Sequence, residues 1–214
     1  DNVTGTRNML TAAHAVGIRK FVYASSSSIY GNNPAPHKPY HKPDPLNYYA
    51  MTKLFGEHLC KQYKNMFDVN YTVVRFFTVY GPEQPGCDDK GLMIAKFGRL
   101  AREGQPVTVH GDGELKRDYI HVSDIARGVI ASMESKVKSE IFNLGTGTNI
   151  SVNSVVDILR ETMPDVVVEH VEKPKGYANE TLADISKAKK LLGWAPKIVQ
   201  ADGIRDYYRN ITDV

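Results

Sequence analysis

The sequence predicts an α/β fold built on a parallel sheet. Three observations carry this. Apolar stretches at 20–25 (KFVYAS), 71–77 (YTVVRFF) and 141–144 (IFNL) run almost without polar alternation, as strands covered on both faces do. Helix-period segments lie between them. The 214 residues are 42% hydrophobic and 24% charged, an ordinary globular balance, so these stretches are core strands.

The elements follow in order. Residues 2–16 carry Val3, Met9, Leu10, Ala13 and Val16 at helical spacing, closed by Gly17. A buried strand follows at 20–25. Pro34, Pro36, Pro39, Pro43 and Pro45 exclude regular structure over 31–47. Asn47 is the expected N-cap of a long helix reaching residue 67. One strand is predicted over 71–77, a helix over 92–103 and a short strand over 106–111. The segment 117–133 reads as a strand running into a helix that starts near Ser123 or Asp124. Residues 141–147 form a strand with a Gly-rich exit, 151–163 a helix and 166–170 a strand. Terminal helices are predicted at 186–194 and 203–211. There is no internal repeat.

Bulk properties exclude several function classes. Lys and Arg number 27 against 24 Asp and Glu, giving a net charge of +3 with no basic stripe. That argues against nucleic acid and leaves room only for a small basic pocket for an anionic ligand. Cys60 and Cys87 lack metal-ligand spacing and point to a reducing compartment. No apolar stretch approaches the roughly 20 residues of a membrane helix, and no signal peptide is visible. A cytoplasmic protein without a membrane partner is expected.

Two local patterns carry chemistry. Tyr49 and Lys53 are four apart and share a helix face. A fixed ammonium about 6 Å from a phenol, at an effective dielectric near 20, favours the phenolate by roughly 3 kcal/mol. The pair can act as a general base on an alcohol. By itself it is also a common exposed helix pair. The second pattern is YASSSSIYG, residues 23–31. Ligands bind at the carboxyl ends of parallel strands, which is where Ser25 to Ser28 fall. A hydroxyl there can bond the oxygen that Tyr49 deprotonates. The plain alternative is a polar strand exit. Gly145 and Gly147 in NLGTG read as a tight strand exit and not a phosphate loop, since no third Gly or acidic ribose ligand follows.

Taken together, NVTGTRN, FVYASSSSIYG, YAMTK, RFFTVYGP, GDGELKRDYIHVSDIA, FNLGTG and LADISKAKKLLGW resemble, in order and over essentially the whole chain, the extended short-chain dehydrogenase/reductases. Within these they are similar to the NAD-dependent sugar-nucleotide epimerases and dehydratases. The resemblance implies a Rossmann-like doubly wound parallel sheet with a smaller C-terminal α/β substrate domain. The division expected is 1–80 for the cofactor-binding part and 81–214 for the sugar-nucleotide part, with stretches of 117–145 packing back on the sheet. It implies Ser26, Tyr49 and Lys53 as catalytic residues. Asn2, Ser25 and Phe76 join Tyr49 and Lys53 around NAD. Ser27, Ser28, Thr78, Lys116, Arg117 and Lys175 are assigned to a UDP-sugar. The implied reaction is oxidation at C4, turnover of the flat 4-keto sugar and return of the hydride to its other face, with NAD regenerated.

The resemblance also separates branches. Dehydratases carry Asp-Glu after the catalytic Ser/Thr and decarboxylases keep an acid there. Ser27 and Ser28 stand there here, which implies epimerisation. Thr78, where UDP-glucose epimerases usually have Asn, resembles the UDP-glucuronate 4-epimerases. Arg117 matches the family's pyrophosphate Arg, and Lys116 can assist it. A second phosphate Arg is absent from EKPKGYANETLADISKA, where Tyr177 replaces an acid and Lys173 or Lys175 supplies charge. The family's Gly-rich NAD turn would lie about a hundred residues upstream, in the first half of the sheet. The chain starts at Asp1 inside a helical pattern, so a preceding segment is expected, and the 214 residues alone are expected to be inactive. A homodimer through helices 2–16 and 48–67 is the expected assembly. The other readings are a dehydratase or decarboxylase relative, and a non-catalytic UDP-sugar-binding or dimerisation module.

Overall fold

The computed structural model describes residues 1–82, 92–173, 175–176 and 178–211. In chain order the elements are α1 (Thr4–Ala15), β1 (Phe21–Ser26), a single 3-10 turn (Ser27–Tyr30), α2 (Tyr48–Phe67), β2 (Tyr71–Phe76), β3 (Thr78–Tyr80), α3 (Met93–Arg102), β4 (Val107–His110), β5 (Lys116–Arg117), β6 (Tyr119–His121), α4 (Val122–Glu134), β7 (Glu140–Leu144), β8 (Ile150–Ser151), α5 (Val152–Arg160), β9 (Val168–Val171), α6 (Ser186–Leu192) and α7 (Gln200–Arg209).

A three-stranded parallel sheet, ordered β1-β2-β7, is the centre of the fold. Its register aligns Ser26 with Phe76 and Phe76 with Leu144, so three strands end at one level. Helix α2 lies on one face over Tyr23 and Val73. On the opposite face Val74, Phe142 and Leu144 pack with Ile125 of α4 and with Trp194. A separate core joins Phe97, Val107, Val155, Leu159 and Tyr208 around the parallel pair β4-β9. Beyond the central sheet, β3 pairs with β6 in parallel and β5 with β8 antiparallel.

Two local expectations are corrected. The strand predicted over 71–77 breaks at Phe77. The Phe77 amide bonds Leu144 O of the central sheet (3.0 Å), whereas the Thr78 amide bonds Asp118 O (2.9 Å), so the chain changes sheets between the two residues. The strand at the start of 117–133 is likewise two strands, β5 and β6, parted at Asp118. Helix α4 starts at Val122, beside Ser123 and Asp124 as expected, and is capped by His121, whose Nδ1 accepts the Ser123 amide (3.2 Å). Asn47 caps α2 as expected, its side chain accepting the Ala50 amide at 2.9 Å. Cys87 and Tyr177 lie outside the described residues.

Candidate active site

The serine run is not a linker: Ser25 and Ser26 end β1, and Ser27 and Ser28 begin the 3-10 turn. Ser26 ends β1 in extended conformation (φ −142°, ψ 147°). Its Oγ accepts the Ser28 amide (3.2 Å) and bonds Ser28 Oγ (2.9 Å), capping the 3-10 turn that contains Ser27 and Ser28. Three hydroxyls therefore sit at the carboxyl edge of the sheet, where parallel strands leave an opening. Ser25, on the opposite pleat, is buried and donates to Glu57.

Helix α2 brings the second half of the site. Tyr49 is its second residue and is 51% exposed. Lys53 Nζ lies 5.8 Å from the Tyr49 ring centre and 5.7 Å from that of Tyr23. It donates to Ala24 O (3.1 Å), and burial lowers its pKa. Burial pushes the Tyr23 phenol up to about 12, so it stays protonated and donates to Lys53 O (3.3 Å). Asn2 docks on the same turn through Thr52 Oγ1 (3.1 Å), and Thr52 Oγ1 bonds Tyr49 O (2.8 Å). Phe76 stands beside Ser26 in register.

The C-terminal part supplies the remaining predicted residues around one loop. Arg117 donates to Ala178 O (2.6 Å), Asn179 O (3.2 Å) and Lys116 O (2.8 Å). The other side of that loop meets the start of α2, where Asn47 Nδ2 bonds Gly176 O (3.3 Å). Lys175 is next to Gly176, and Lys173 Nζ bonds Asn179 Oδ1. Arg117, Lys175 and the Tyr49 end of α2 are thereby tied to one loop. Thr78 opens β3 at the point where the chain changes sheets.

Several residues of this region were not singled out by sequence. Asp118 is fully buried, and its carboxylate accepts the amides of Thr146 (2.7 Å), Gly147 (3.1 Å) and Ala183 (3.0 Å) and the Thr146 hydroxyl (2.7 Å). The NLGTG exit is thus folded round a carboxylate of the protein, and two of its amides are occupied. A β-carbon at Gly145 would stand 2.8 Å from Asp118 Oδ2 and 2.6 Å from Ala183 Cβ, so only glycine fits. Glu57 and Arg75, 7% and 2% exposed, form a bidentate pair with bonds of 2.9 and 2.7 Å. Arg75 also donates to Tyr30 Oη (2.9 Å), which donates to Asn143 Oδ1 (2.6 Å). The signal for this network was an arginine inside an otherwise apolar strand.

The arrangement defines a class: a parallel-sheet protein with a hydroxyl at a strand end and a Tyr-x-x-x-Lys helix beside it. Residues 1–145 match the NAD dependent epimerase/dehydratase family, and the chain belongs to it. It is 41% identical over 207 residues to a UDP-glucuronate 4-epimerase of Thermodesulfobacterium geofontis, covering 95% of this chain and 62% of that protein. A crystal structure of the Bacillus cereus UDP-glucuronic acid 4-epimerase with UDP-glucuronic acid and NAD is similar at a TM-score of 0.91 and 31% identity. The match covers 99% of this chain and 68% of that one. A UDP-glucose 4-epimerase of Thermotoga maritima with UDP-glucose gives 0.92 at 30% identity, over 97% and 68%. UDP-glucuronic acid decarboxylases of Arabidopsis thaliana are relatives as well, at 32% identity. The chain thus spans under two thirds of the length of its first-named relative.

The residues present suit the nicotinamide-ribose end of NAD. An ammonium has three protons, and Lys53 spends one on Ala24 O among the described residues, leaving two for ribose hydroxyls. Among the described residues no cluster of three metal-ligating side chains exists, and no helix is long and apolar enough to cross a membrane.

Proposed function

We propose that the full-length protein is an NAD-dependent UDP-sugar 4-epimerase acting on UDP-glucuronate. The carrying observation is that Lys53, 5.8 Å from the Tyr49 ring centre, bonds Ala24 O of β1, the strand whose end bears the hydroxyls Ser26 to Ser28 with no carboxylate among them. Tyr49 takes the proton of the sugar 4-hydroxyl, and Ser26 holds the same oxygen by a hydrogen bond. Lys53 favours the phenolate and would hold the cofactor ribose, with Asn2 and Phe76 among the residues that would hold NAD. NAD, when bound, accepts the C4 hydride and returns it. Thr78, Ser27 and Ser28 hold the C5 carboxylate through neutral groups, which do not promote its loss from the ketone. Arg117, Lys116 and Lys175 meet the diphosphate, where charge-assisted bonds are strong. Subunits pair through the outer faces of α1 and α2.

The test is incubation of the full-length protein with UDP-glucuronate and with UDP-glucose, with product configuration read by NMR. UDP-glucuronate should be converted to its C4 epimer faster than UDP-glucose. Tyr49→Phe should lower the rate by about 10²–10⁴-fold without unfolding, since the side chain is half-exposed. Release of carbon dioxide with a pentose product would instead establish a decarboxylase.

A further inference from the structure

Helix α2 holds β1 at three consecutive strand residues. Tyr23 Oη donates to Lys53 O (3.3 Å), Lys53 Nζ donates to Ala24 O (3.1 Å), and Ser25 Oγ donates to Glu57 Oε1 (2.5 Å). Contact is so close that a β-carbon at Gly56 would lie 2.1 Å from the Tyr23 hydroxyl. Among the described residues β1 has a strand neighbour on one side only, β2. Helix α2 packs on one face of β1 and α4 on the other.

The Glu57 carboxylate cannot swing away from Ser25. Arg75 Nε and Nη2 grip its two oxygens (2.9 and 2.7 Å), and Arg75 Nη1 is fixed by Tyr30 Oη (2.9 Å) and Pro39 O (3.0 Å). A two-pronged Arg–carboxylate bond sets orientation as well as distance. Glu57 lies one helical turn past Lys53 and two past Tyr49, while Ser25 is the residue before Ser26. One buried carboxylate therefore connects both arms of the candidate active site from behind.

We infer that Glu57, seated by Arg75, is a positioning residue that acts through Ser25 to set the end of β1, and hence Ser26, against the Tyr49–Lys53 end of α2. This rests on the function proposed above. Glu57 touches neither sugar nor cofactor. Its effect is on the spacing of the two hydroxyls that share the substrate oxygen, and small misplacements there are costly in rate.

Ser25→Ala in the full-length protein removes the link and leaves the Glu57–Arg75 pair intact. The variant should keep its melting temperature to within a few degrees and its KM, and lose about 10–100-fold in kcat. Ser25→Thr, which restores the hydroxyl, should recover most of that loss. A Ser25→Ala protein with wild-type kcat overturns the inference. If the wild-type protein turns over no UDP-sugar, the proposed function fails, and the link is judged by amide hydrogen exchange. Faster exchange at 26–30 in Ser25→Ala, with α2 unchanged, supports it, and identical exchange overturns it.

Discussion

His37 is a fully buried imidazole stacked on Tyr30, ring centres 4.8 Å apart. Among the described residues its Nδ1 has no hydrogen-bond partner, and Nε2 is 3.4 Å from Glu180 O. Burial pushes its pKa below the ordinary value, with His41 adding to the effect and Glu180 opposing it. The folded protein thus binds this proton less readily than the unfolded chain does. Stability from His37 is full above the unfolded value of about 6.5 and declines as pH falls through it toward the folded one. His121, also pushed down by burial, adds a loss of the same sign. Thermal unfolding from neutral pH to about pH 5 should show a falling melting temperature, less steep in His37→Gln. Equal slopes would remove His37 as a source. Glu57 and Arg75 behave differently: either one left alone would be a buried charge, a loss of about 3–5 kcal/mol.

Helix α2 depends on a glycine in its middle. Gly56→Ala improves helix propensity but drives a β-carbon into the Tyr23 ring. Overpacking should win, costing about 1–3 kcal/mol and several degrees in melting temperature, measurable by calorimetry. An unchanged or raised melting temperature would show that α2 can lift from β1. This helix was legible in sequence, from its Asn47 cap to Phe67, because caps and periodicity are local. The strand end and the helix turn that carry Ser26, Tyr49 and Lys53 were legible for the same reason, since each lies in one short motif. Asp118 and Glu57 were not, since their meaning lies in partners remote in sequence. Asp118 meets Ala183 across 65 residues, and Ser25 meets Glu57 across 32. The break at Phe77 was hidden for a related reason: YTVVRFF holds no Gly, Pro or other turn residue, and the hydrogen bonds of Phe77 and Thr78 reveal two sheets.

For the whole molecule, the outer faces of α1 and α2 bear on assembly. Met51, Phe55 and Met66 of α2 fall on one stripe, as do Met9 in the middle of α1 and Val16 just past its end. All are exposed, Met9 at 62% and Phe55 at 49%. Such a stripe is the expected contact of the proposed dimer. Phe55→Lys should shift the full-length protein from dimer to monomer in analytical ultracentrifugation, and a dimer unaffected by it would place the contact elsewhere. The sheet topology also has a consequence for how the chain acquires its shape. Phe21 pairs with Tyr71, Thr72 with Glu140 and Val107 with Val168, and all three pairings are parallel. Parallel strands cannot be joined by tight turns, so folding belongs on the order of milliseconds to seconds. During synthesis, Arg75 can find Glu57 early, but β2 has only one neighbour until Leu144 has left the ribosome.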